Sequence, residues 1–174
     1  MTNEKFNLSA FPEIFVFRDA VVKFCLLLET DIVDSVLWTR QILDVLAEIY
    51  AIGNKLPDLT LFEISNDASE KFYIGEPDWK QIFEHVSRAL PQRYYWMYFD
   101  PIAKTESVQE AVMGDLADDL ADIYRDLKSG LNVWENQKEN QIIEIAWNWK
   151  FLFQAHWGQH AVDAKLALHQ LVHS

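Results

Sequence analysis

Apolar side chains recur at three- and four-residue spacing along most of this chain, and only five glycines and five prolines in 174 residues interrupt them. A helix places such positions on one face, since each residue advances by about 100° around the axis. The pattern predicts an all-α fold, a single-domain bundle of about six helices spanning residues 1–174. A second domain would need a linker, and no low-complexity tract or internal repeat marks one. A domain of this length buries roughly 70% of the surface that its unfolded chain exposes, so no disulfide or metal staple is required.

The breaks between periodic stretches place the elements. The first helix is expected from Phe11 to about Thr30, where the polar pair Thr30–Asp31 interrupts it. Asp34 or Ser35 can cap a second, which carries Trp38, Ile42, Val45, Ile49 and Ile52 on one face and ends at Gly53–Asn54, ahead of Pro57. Residues 59–74 are the least regular part, and their two β-prone ends suit either a small hairpin or a connecting loop. A third helix, marked by Trp79, Ile82, Phe83, Val86 and Leu90, follows an N-cap near Asp78 and closes at Pro91. The run Tyr94-Tyr95-Trp96-Met97-Tyr98-Phe99 reads equally as a strand, a helix turn or an aromatic lid. Ser107 and Glu110 form a capping box that predicts the start of a fourth helix, and Lys128-Ser129-Gly130 predicts its end. A fifth, from about Glu135 to Trp157, is apolar almost all round, as suits the central member of a bundle. A shorter sixth is expected from Gln159 to Val172.

Charge and cysteine content narrow the partners. With 27 acidic against 15 basic residues the net charge is -12, so the average surface repels phosphate backbones and anionic headgroups, and neither nucleic acid nor membrane is an expected partner. The single cysteine, Cys25, lies within the apolar run Val21–Leu28 and reads as inert core. One cysteine makes no internal disulfide, which suits a reducing compartment. The N-terminal residues lack a signal-peptide pattern, and no apolar run reaches the ~18 residues of a membrane span. A cytoplasmic location is the expectation.

The most informative segment is Gly114–Leu127. On a helix, Asp115, Asp119, Asp122 and Asp126 form one stripe, and Leu116, Leu120, Ile123 and Leu127 another about a quarter-turn away. Five like-charge pairs at spacings of three or four arise among Asp115, Asp118, Asp119, Asp122 and Asp126, together costing about 1 to 2.5 kcal/mol. Compensation can come from solvent and ion pairs to other helices, or from a divalent cation such as magnesium, manganese or calcium on the carboxylates. Glu48 and Glu144 are the further carboxylates that could join.

His156 and His160 are four apart, the spacing at which one helix face offers two imidazoles to a metal. They fall on the side of Ile145, Trp149, Leu152 and Phe153, so each needs a polar partner, and an aspartate of the acidic helix would serve as one. Gly158 between them can end the fifth helix and send the two rings apart. Of the seven tryptophans, Trp38, Trp79, Trp147 and Trp149 fit core positions, and Trp96 is the candidate for a pocket wall. Glycine-rich phosphate loops, the G-x-S-x-G elbow, H-E-x-x-H and cysteine metal knuckles are all absent from the sequence.

Over Gly114–Gly130, and again over the spaced aromatics and histidines from Trp147 to His160, the chain resembles a family of bacterial helical proteins known only as a domain of unknown function. That resemblance implies a helical protein and carries no activity with it. Asp119-Leu120-Ala121-Asp122 is similar to the acidic second motif of the all-α nucleotide pyrophosphohydrolases, with aspartate where its first position is usually glutamate. The likeness implies magnesium held on carboxylates from two helices. The leading functional expectation is a non-enzymatic interaction or adaptor protein that binds a protein partner through an exposed helix face or the aromatic run. The alternative is a divalent-metal-dependent hydrolase of a phosphate compound, with Asp115, Asp119 and Asp122 as ligands and His156 or His160 as ligand or general base.

Overall fold

The computed structural model describes residues 8–59, 74–98, 102, 110–134 and 139–174. Among them are six α-helices and one two-stranded sheet: α1 (Pro12–Glu29), α2 (Ser35–Lys55), α3 (Glu76–Ala89), β1 (Tyr94–Met97), β2 (Val112–Asp115), α4 (Leu116–Trp134), α5 (Glu139–Ala155) and α6 (Trp157–His173). The predicted all-helical bundle is thus the observed architecture. None of the helices among the described residues is long and apolar enough to cross a membrane. The stretch 59–74, expected as hairpin or loop, lies outside the described residues except at Leu59 and Ile74, both of which are buried.

Local chemistry explains several boundaries. The Asp34 carboxylate accepts the amides of Val36 and Leu37 at 3.0 Å, capping α2 as an aspartate at that position should. The N-cap expected near Asp78 is instead Gly75, and Pro77 and Asp78 lie in the first turn of α3, where the missing N–H of a proline leaves no bond unmade. The aromatic run takes the strand alternative: β1 pairs antiparallel with β2, Tyr95 opposite Gly114 and Trp96 opposite Met113.

That pairing overturns the expected start of the fourth helix. Glu110 lies outside any helix, Ser107 falls outside the described residues, and α4 begins only at Leu116. Asp115, the last residue of β2, accepts the Ala117 amide at 3.1 Å, while the Leu116 amide donates to the Arg93 carbonyl at 2.8 Å. These bonds do the work expected of the capping box, because cross-strand pairing with the aromatic run outweighs a local helix signal. The expected end is also passed. Gly130 sits inside α4, where a Cβ would fall 2.5 Å from the Trp149 indole nitrogen, so its role is to let α5 approach rather than to stop the helix.

The fourth helix, not the fifth, is central: α4 packs against α1, α3, α5 and α6, whereas α5 leaves Phe151 exposed. Leu116, Leu120, Ile123 and Leu127 of α4 are fully buried, and Ala117 and Ala121 allow close helix packing. Trp149 and Trp157 anchor the core, and their indole N–H groups are satisfied by the carbonyls of Leu127 and Trp149. Phe17 stacks on Trp157 and meets Trp149 edge-on.

Candidate metal centre

The two histidines meet because the helical run breaks at His156, between α5 and α6, and not at Gly158, which lies inside α6. His156 occupies the N-cap of α6 with φ -150° and ψ -84°, its amide closing α5 on the Leu152 carbonyl and its carbonyl receiving the Gln159 amide. Gly158 makes the reversal possible, since a Cβ there would lie 2.1 Å from the Phe153 carbonyl oxygen. His160 follows one turn into α6, and the two imidazole rings stand 4.7 Å apart at 69°.

Both rings face the acidic stripe of α4. His156 Nδ1 is 2.7 Å from Asp126 Oδ2, and His160 Nδ1 is 2.7 Å from Asp119 Oδ1. An ionised carboxylate only accepts, so each imidazole must carry a proton on Nδ1, and in the neutral ring the lone pair then sits on Nε2. Those Nε2 atoms point the same way: Asp122 Oδ2 lies 3.9 Å from that of His156 and 3.7 Å from that of His160. Oδ1 of Asp122 is already engaged, by the Trp79 indole N–H at 2.8 Å and by Arg125 at 2.7 Å. Oδ2 is thereby turned towards the histidines.

Asp122, His156 and His160 can place one ligand atom each within 4.8 Å of one another. Ligands about 2.1 Å from a tetrahedral ion are about 3.4 Å apart, so small side-chain adjustments would close the set. Outside it lies a shell of carboxylates that orient the imidazoles, the arrangement by which proteins fix the tautomer and raise the basicity of metal-bound histidine.

Electrostatics follow from crowding. The hydrogen bond to Asp119 raises the His160 pKa against the opposing effect of burial. Burial raises the Asp126 carboxyl, opposed by its bond to His156. Asp118, half-buried on the same helix, is also pushed up, by burial first and then by Asp122, Asp119 and Asp115.

The expected residues therefore divide. Asp122, His156 and His160 converge; Asp119 stands one bond behind His160; Asp115 belongs elsewhere, paired with Arg93 at 2.6 Å and capping α4. Glu48 forms an ion pair with Lys23 instead. Asp126 was visible in the stripe but not as the partner of His156, and nothing local signals that Trp79 bonds Asp122 or that Tyr95 bonds Asp119. Trp96 is 71% exposed and, with Tyr94, Tyr95, Leu166 and Leu171, lines a cleft of about 360 Å³ between β1 and α6.

Comparison with known proteins gives a family and a fold. The family described as "Domain of unknown function (DUF5063)" matches residues 9–174. The crystal structure of protein BF1032 from Bacteroides fragilis superposes with a TM-score of 0.73 at 22% sequence identity, covering 93% of this chain and 96% of that one. At that identity the likeness speaks for the fold alone. No curated protein matches the sequence.

Proposed function

The chain belongs to the DUF5063 domain family, and we propose that it is a divalent-metal protein whose ion is held by His156 Nε2, His160 Nε2 and Asp122 Oδ2. One observation carries the reading: both Nδ1 atoms are committed to carboxylates, which leaves both Nε2 atoms facing a single free carboxylate oxygen. Two imidazole nitrogens and one oxygen favour zinc, iron, cobalt or manganese over magnesium or calcium, which take oxygen ligands. Three protein ligands leave a position for water, and a divalent ion there would lower the pKa of that water towards neutrality, the chemistry of a hydrolase.

The surroundings bear on the substrate. Asp118 and Asp163 stand half-exposed near the cluster, each coupled to Asp119 and His160. Their charge weighs against the phosphate compound of the alternative sequence reading and in favour of a substrate that is not anionic. The buried Cys25, whose thiol is pushed up by burial, suits the reducing cytoplasm that we assign. The interaction role rests on a different surface, the exposed Tyr94 and Trp96 of β1.

The test is a thermal melt with zinc, iron(II), cobalt, manganese and magnesium, alongside the metal content of the purified protein. An ion at 100 times its dissociation constant adds about 2.7 kcal/mol, which raises the melting temperature of a domain this size by about 5–11 °C. A shift with a transition metal, abolished in His160→Ala and Asp122→Ala, supports the site. Absence of any shift with these metals refutes it.

A further inference from the structure

We infer that Tyr95 is a positioning residue through which the β1–β2 hairpin sets the metal affinity of the site, an inference that rests on the metal reading above. The Tyr95 hydroxyl donates to Asp119 Oδ2 at 2.6 Å, and the other oxygen of the same carboxylate holds His160 Nδ1 at 2.7 Å. Asp119 is only 6% exposed, so its two oxygens are held by these two partners with little competition from water. The plane of that carboxylate, and with it the aim of the His160 ring, is fixed from both sides.

The hairpin is shaped for this contact. Tyr95 lies opposite Gly114, and its ring crosses β2 where the side chain is missing: a Cβ on Gly114 would sit 2.5 Å from Tyr95 Cζ and 2.9 Å from its hydroxyl. Met113, one residue away, faces the opposite side and is exposed. Burial and the Asp119 carboxylate both raise the Tyr95 pKa, which keeps the hydroxyl a donor. A change in the hairpin thus reaches His160 through two hydrogen bonds, and linkage requires the reverse: an ion on His160 must stabilise the hairpin.

Zinc titration and amide hydrogen exchange of the full chain test this, with Tyr95→Phe, Gly114→Ala and, as a control on the outer face, Met113→Ala. Tyr95→Phe removes one oxygen and should weaken zinc binding by about tenfold, the lower end of losses for groups behind the ligands. Gly114→Ala should weaken it by displacing the same ring, and Met113→Ala should leave it unchanged. In the wild type, zinc should slow exchange at the amides of residues 94–97 and 112–115, and in Tyr95→Phe that protection should be lost although the metal-free far-UV spectrum is unaltered. Equal zinc affinity and equal protection in wild type and Tyr95→Phe would overturn the role of Tyr95 while leaving the metal site standing. No zinc binding by the wild type would overturn both.

Discussion

Replacing Asp126 by asparagine separates a metal-orienting shell from a purely structural histidine contact. The substitution keeps the shape of the side chain and an oxygen that can still accept from His156 Nδ1, now 2.7 Å away, but removes the charge that makes the imidazole a stronger ligand. Asp126 is 9% exposed, and burial already disfavours its charge. Losing that charge should therefore change the stability of the metal-free fold by less than about 1 kcal/mol. Loss of an orienting carboxylate costs about 10- to 100-fold in metal affinity. At a zinc concentration 100 times the wild-type dissociation constant, the stabilisation by metal should fall from about 2.7 kcal/mol to between about 1.4 and 0.4 kcal/mol. Paired calorimetric melts with and without zinc read both quantities from one sample. An undiminished zinc shift in Asp126→Asn would refute the orienting role. A metal-free fold weakened by several kcal/mol would refute it too, since the contact would then be structural.

Three further outcomes are expected. Gly130→Ala gains about 1 kcal/mol of helix propensity, but its Cβ would lie 2.5 Å from an indole that stacks on Trp134 and bonds the Leu127 carbonyl; overpacking of about 1–3 kcal/mol should win, and an unchanged or raised denaturation midpoint would contradict the close α4–α5 approach. The Asp118 carboxyl is raised in the fold, so its ionised form is the penalised one, and the penalty is present above the folded pKa and fades as pH falls through it. Asp118→Asn should therefore gain on the wild type in thermal stability at pH 7 relative to pH 4, by two like-charge pairs of about 0.2–0.5 kcal/mol each; the same difference at both pH values would count against it. Cys25 is buried with its thiol pushed up, so a disulfide reagent should label it fully in denaturant and only at the rate of opening in the native protein; prompt native labelling would disprove its burial.

What could be read from the sequence was local, and what could not was a contact between distant segments. The Asp34 cap and the apolar face of α2 depend on neighbours within a turn, and each appears in the fold. The hairpin depends on Tyr94–Met97 finding Val112–Asp115, and the strand signal was balanced by the helical flanks until the partner was known. A capping box at Ser107 and a glycine at 130 then gave the fourth helix the wrong limits. Gly130 looks like a terminator in sequence because its actual partner, Trp149, lies on another helix.

The acidic stripe itself was legible, and its position in the fold decides how it should be understood. On a peripheral helix, five like-charge pairs would be a solvated face that adds solubility. Around α4, the helix that touches α1, α3, α5 and α6, four of the five aspartates are pressed against other elements and find specific partners: Arg93 for Asp115 at the end of β2, Tyr95 and His160 for Asp119, Trp79 and Arg125 for Asp122, His156 for Asp126. Only Asp122 keeps an oxygen turned to the two Nε2 atoms. The repulsion that makes the stripe look costly in sequence is what a cation at the proposed site would relieve, because an ion there would offset carboxylates that water reaches poorly.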